Sequence, residues 1–168
     1  MAVFKVMHRK NTPKSPKFPG KKYHDENSLY DVIPYCCNSQ KTKSGYIGCF
    51  GASVPYAAEQ MDKLAIAYGK ACSIRLRHMM LSFGPGERIT PFLAYQIAYQ
   101  AAWYYGREYQ ILFAVHENKQ LLHVHFVMNT VSYLDGHKYA GKREDYYKFQ
   151  DYLIQILKPL DIDVSFLA

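Results

Sequence analysis

At 168 residues the chain can bury one sizeable core but is too short for two ordinary domains. With 49% hydrophobic and 21% charged residues its composition excludes a disordered chain, and no apolar run approaches the roughly eighteen residues a membrane span requires. The formal charge of +7 suits a partner that carries phosphate. That charge is uneven: up to Lys22 the chain carries Lys5, Arg9, Lys10, Lys14, Lys17, Lys21 and Lys22 and no acid. Such a run reads as a solvated arm, or as a strand and loop lying along a nucleic-acid backbone. The sixteen tyrosines offer rings for stacking unpaired bases, although most are expected in the core or at its rim. Cys36, Cys37, Cys49 and Cys72 form no CxxC pair and no apolar leader precedes them, so free thiols in a reducing, cytoplasmic setting are expected.

In chain order, residues 3–7 predict a short strand, and residues 10–22, with prolines and a glycine among lysines, an extended loop. Ser28 is placed to cap a short helix through Leu29, Val32, Ile33 and Cys36, in which Pro34 must sit in the first turn or kink the segment. From Pro55 onward, Ala58, Met61, Leu64, Ala65 and Tyr68 recur at helical spacing and Gly69 closes the run. Residues 74–83 read as a strand leading into the Gly84-Pro85-Gly86 turn; Thr90 then caps a helix with Pro91 at its first position, ending at Gly106. Residues 109–115 and 122–133 read as two strands joined by a polar connection, the second turning at Asp135-Gly136 into a short return strand. A helix over residues 144–158, stopped by Pro159, leads to a terminal strand around residues 164–166. This order predicts an α+β domain, with helices packed on a largely antiparallel sheet.

His116 is followed, after six intervening residues, by His123-Val124-His125 and an apolar strand that reaches Asn129. Side chains alternate along a strand, so His123 and His125 share one face while Leu122, Val124, Phe126 and Met128 enter a hydrophobic layer on the other. Antiparallel pairing with the preceding strand can set His116 opposite that pair. Three neutral imidazoles meeting at one point make an open metal site, with positions left for water or substrate oxygens. Ligand type alone favours Zn²⁺ over Mg²⁺. An H-x-H pair by itself is equally well plain polar alternation; the third histidine tips the reading toward metal.

The same pattern resembles the third motif of the relaxase and mobilisation nuclease family (MobA-like relaxases), a branch of the HUH endonucleases. His78-Met79-Met80-Leu81-Ser82-Phe83-Gly84-Pro85-Gly86-Glu87, followed by Ile89-Thr90-Pro91, is similar to that family's second conserved region. The stretch from Leu29 through Tyr35 to Lys41-Thr42 is similar to its first. The motifs cover almost the whole chain in the family's order, so residues 1–168 read as one nuclease domain, complete or the N-terminal part of a longer protein.

The resemblance implies a central antiparallel sheet flanked by helices, a divalent ion, Mg²⁺ or Mn²⁺, on His116, His123 and His125, and Tyr35 as nucleophile. Pro34 directly before that tyrosine and a long preceding loop depart from the pattern, which keeps Tyr30 and Tyr23 open as alternative nucleophiles. Ser82 is expected near the DNA, or else as a hydroxyl capping the turn after its strand, and Lys41, Lys43, Arg75 and Arg77 are expected DNA contacts. Asn129, His78 and Glu87 each read as well in a structural role as in a functional one. The implied activity is nicking of one DNA strand at an origin of transfer through a 5′-phosphotyrosyl intermediate, which starts conjugative transfer or mobilisation. The implied partners are single-stranded DNA, accessory relaxosome proteins and a coupling protein. The alternatives are a rolling-circle initiator or transposase of the same superfamily, and a single-stranded nucleic-acid-binding module without catalysis.

Overall fold

The computed structural model describes residues 1–7, 23, 27–117 and 120–167. The predicted loop over residues 10–22, and the basic run other than Lys5, lie outside the described residues. Ten principal elements follow in chain order: β1 Ala2–Val6, α1 Asn27–Cys36, β2 Ile47–Phe50, α2 Ala57–Ala67, β3 Leu76–Ser82, α3 Pro91–Gly106, β4 Tyr109–His116, β5 His123–Ser132, α4 Arg143–Leu157 and β6 Val164–Leu167. The strands form one six-stranded sheet in the order β2-β4-β5-β3-β1-β6. Every neighbouring pair is antiparallel except β1 and β6. The fold is thus α+β, a mainly antiparallel sheet flanked by helices, as the order of predicted elements required.

Alternation along β4 and β5 divides the core into two layers. On one face, Ile111, Phe113 and Val115 of β4 and Val124, Phe126 and Met128 of β5 pack against the alanines of α3 and against Phe149, Leu153 and Leu157 of α4. On the other, Leu112, Ala114 and Val127 meet Leu29, Ile33 and Cys36 of α1 and Ala57 and Met61 of α2. Both faces being covered, β4 and β5 are buried along their full length. His123 and His125 alternate onto the second face with Val127, beside the end of α1.

Local signals explain most boundaries. Thr90 caps α3, its hydroxyl accepting the Leu93 N–H at 3.1 Å, and Pro91 occupies the first turn where no amide donor is needed. Helix α1 starts at Asn27, so Ser28 lies inside it and is buried instead of capping it. Pro34 lies near the other end of α1, where its ring removes the donor that would reach the Tyr30 carbonyl. The expected return strand after Asp135-Gly136 reduces to one bridge, Val131 to Lys138, with Gly136 at φ 76°. Among the described residues no helix is long and apolar enough to cross a membrane.

Strand β2 had no counterpart among the predicted elements. It pairs antiparallel with β4 at the sheet edge, and Gly48 at its centre lets the Phe113 ring press against the backbone. A Cβ on Gly48 would stand 2.6 Å from Phe113 Cε2. Gly48→Ala is therefore expected to destabilise the domain by about 1–3 kcal/mol, read as a lower melting temperature, because the displaced ring is part of the main core.

Candidate active site

In the antiparallel pairing of β4 and β5, His116 faces His123 directly and Ala114 faces His125. The three imidazoles converge: centroids are 5.2 Å apart for His116 and His123, 4.4 Å for His116 and His125, and 5.1 Å for His123 and His125. One ligand nitrogen from each lies within 4.8 Å of the others, and all three side chains are buried.

One nitrogen of each ring is held by the protein. His116 Nε2 donates to the Cys36 carbonyl at 2.7 Å, and His123 Nδ1 donates to the Leu121 carbonyl at 3.0 Å. A carbonyl can only accept, so these contacts fix the proton and place the lone pair on His116 Nδ1 and His123 Nε2. His125 Nδ1 meets another imidazole, His78 Nε2, at 2.8 Å, and His78 Nδ1 lies 3.1 Å from the Tyr23 hydroxyl. When His125 donates from Nδ1, its Nε2 joins the other two lone pairs, and His78 in turn donates to Tyr23. Burial pushes the Tyr23 phenol up to about 12, so it stays a neutral hydroxyl at the end of this chain of bonds. Holding the far nitrogen of each imidazole in this way is how proteins orient histidine ligands.

His78 reaches His125 through the register of β3 on β5. Met80 pairs with His125 and Ser82 with His123, so His78, Met80 and Ser82 line the same face. Strand alternation alone accounts for that shared face; the bond to His125 depends on a strand pairing that alternation cannot reveal. A cleft of about 440 Å³ beside the cluster is lined by Met80, Ser82, Gln120, Leu121 and His123.

Tyr35 stands at the end of α1, 44% exposed. With Leu29, Ile33 and Cys36 fixing α1 on the sheet, the neighbouring Tyr35 projects over the imidazoles. Its ring centroid is 5.9 Å from that of His125, nearly perpendicular, and 6.1 Å from that of His116. Lys41 Nζ lies 3.5 Å from the centre of the Tyr35 ring, a cation–π contact. The loop carrying Lys41 is tied to the end of β4 by the Glu117 N–H, which donates to the Lys41 carbonyl at 2.8 Å.

The remaining sequence candidates divide. Tyr30 points toward α2, its hydroxyl donating to Asp62 at 3.2 Å. Desolvation, with Asp62 adding to it, raises its pKa. Tyr23 is spent on His78. Lys43 is exposed on the loop that carries Lys41. Arg75 is buried in an ion pair with Asp62 and also donates to the Ala71 carbonyl, so its guanidinium is committed inside the fold. Arg77 points to the other side of the sheet, its guanidinium 5.2 Å from the Tyr139 ring centre and 5.9 Å from that of Tyr146. Asn129, fully buried, donates to the Met61 carbonyl and to Gln110 Oε1, tying α2 to the sheet. Glu87 accepts the Gly84 N–H at 2.6 Å and holds the turn after β3.

A sheet with three facing histidines and a tyrosine over them is the arrangement expected of a relaxase nuclease, and comparison with known families agrees. The chain belongs to the relaxase family: the model of its MobA/VirD2-like nuclease domain matches residues 35–159, a span that holds Tyr35, Ser82 and all three clustered histidines. Two curated proteins from Staphylococcus aureus, both named Protein rlx, are similar to it at 28% identity over 123 residues, or 73% of this chain. The aligned region covers only 37% and 38% of those two proteins. No solved structure gives a significant match.

Proposed function

We propose that this domain nicks one strand of DNA at an origin of transfer, with Tyr35 as nucleophile and His116, His123 and His125 as metal ligands. The observation that carries this reading is the placement of the Tyr35 ring beside two of the three converging imidazoles. The family match also begins at Tyr35 and leaves Tyr30 and Tyr23 outside it. Three histidine donors within 4.8 Å, each anchored through its opposite nitrogen, fit a divalent cation with open positions. Mg²⁺ or Mn²⁺ follows from the family and Zn²⁺ from the ligand type; such an ion supplies positive charge to the non-bridging oxygens of the scissile phosphate.

The protein's own part is positional. Tyr35 Oη bonds to phosphorus as the bond from phosphorus to the 3′ oxygen breaks; the phenol proton is lost and the leaving strand takes one up as its free 3′-hydroxyl. The 5′-phosphotyrosyl bond conserves the linkage, so the same hydroxyl can reverse the step. In this reading the strand runs along the cleft lined by Met80, Ser82 and Gln120, and Lys41 and Lys43 meet its phosphates on the Tyr35 side; the cleft beside His123 and the position of Lys41 over the Tyr35 ring support it. In the bacterial cytoplasm this step would begin conjugative transfer or mobilisation, together with accessory relaxosome proteins and a coupling protein.

The test is to incubate the domain and a divalent ion with a labelled oligonucleotide bearing the cognate nick site, then resolve the products on a denaturing gel. A protein-linked label is expected. Tight binding with no adduct under any metal would make the domain a binding module instead. Replacing Lys41 and Lys43 together by Ala is expected to weaken binding of all single strands alike. It should also flatten the dependence of log affinity on log salt by about 0.7 for each phosphate that is no longer neutralised, measured by fluorescence anisotropy.

A further inference from the structure

Beside the three-histidine cluster lies a second group of donors that shares only His125 with it. Cys36, His78 and His125 each place a ligand atom within 4.8 Å of the other two, and all three side chains are buried. We propose that Cys36, His78 and His125 form a thiol-containing site for a thiophilic cation such as Zn²⁺, and that filling it takes His125 away from the first cluster.

Geometry and ligand chemistry both favour this. The facing nitrogens of His78 and His125 are 2.8 Å apart, bridged by one proton. A tetrahedral ion with bonds near 2.0–2.1 Å holds two nitrogens ~3.3 Å apart, so replacing that proton needs a shift of only about half an ångström. Thiolate and imidazole together select Zn²⁺ or a similar ion and discriminate against Mg²⁺ and Mn²⁺, which prefer oxygen. The ion displaces the Cys36 thiol proton to solvent as the metal–sulfur bond forms. His78 already presents its Nε2 lone pair while its Nδ1 is held by Tyr23, so it binds without rearrangement.

His125 behaves differently. A neutral imidazole carries one proton, and coordination through Nδ1 moves it to Nε2, the atom the first cluster needs as a lone-pair donor. The two clusters therefore compete for one ring. That competition rests on the reading of the first cluster as a metal centre; sulfur ligation by Cys36 does not.

The test uses Co²⁺ as probe and the whole chain. In the His116→Ala/His123→Ala double variant, which lacks the competing cluster, Co²⁺ is expected to give a near-ultraviolet sulfur-to-cobalt charge-transfer band. Adding Cys36→Ser, a nearly isosteric change, should abolish that band. Absence of the band in the double variant although Co²⁺ binds, or its survival in Cys36→Ser, overturns the proposal. In the otherwise unmodified chain with Mn²⁺ present, Cys36→Ser is expected to raise at least tenfold the Zn²⁺ concentration that halves adduct formation, and no change overturns the competition. A sulfur band in a protein that forms no DNA adduct would retain the thiol site and remove the nicking reading; an adduct without a sulfur band would do the reverse.

Discussion

With Tyr35 replaced by Phe, covalent adduct formation is expected to fall by at least about 10³-fold, some 4 kcal/mol of transition-state stabilisation, while affinity for single strands stays close to that of the parent. The reason is the narrowness of the change. The Phe ring keeps the edge contact with His125 and the cation–π contact with Lys41, and loses only the oxygen that the proposed reaction assigns to the attack on phosphorus. Tyr30→Phe forfeits a single bond to Asp62 on α2 and should leave the adduct intact. The reverse pattern, an adduct in Tyr35→Phe and none in Tyr30→Phe, would move the nucleophile elsewhere. Tyr23→Phe is a third case: it takes the hydroxyl away from His78 and should act through metal affinity, without the total loss of adduct that marks a missing nucleophile.

His125→Ala is expected to have the largest effect on the metal. It removes the proposed ligand closest to His116, at 4.4 Å between centroids, and breaks the link to His78 at the same stroke. Affinity for Mn²⁺, measured by calorimetry, should drop by on the order of 100-fold or more, and the adduct should vanish with it. His78→Leu, which leaves the three ligands in place but unseats His125, should lower it roughly 10–100-fold, and His78→Gln, whose side-chain amide can restore the bond, should recover part of that affinity. A titration curve for His125→Ala that superimposes on the parent would show that the imidazoles meet for some other purpose.

Much of this was legible along the chain because the governing signals are short-range. Two residues of spacing put His123 and His125 on one face, Thr90-Pro91 opened α3, and the helical spacing of Met61 and Ala65 marked α2. Strand β2 was illegible because its four residues carry a glycine and too few alternating positions to show a period of two; pairing with β4 makes it a strand. The partners of basic residues were hidden for a related reason. Arg75 is an arginine like any other until Asp62, thirteen positions earlier, closes on it across the turn between α2 and β3. Tyr23 and His78 are 55 positions apart, and nothing local marks either as the support of a ligand. Cys36 likewise looked like one more apolar helix position, although its thiol lies among imidazoles and its carbonyl holds His116.

That carbonyl welds two functions together. His116 is the buried last residue of β4, yet the carbonyl that sets its proton belongs to Cys36, the residue immediately after Tyr35, in a helical turn already short of one amide donor at Pro34. Any motion that swings the tyrosine outward, whether to admit a strand or to carry one away, tugs on that imidazole too. If the proposed metal centre and nucleophile are right, cation retention and departure of the phenol are mechanically linked, and a domain caught with its last α1 turn unwound should bind its ion more loosely than one at rest.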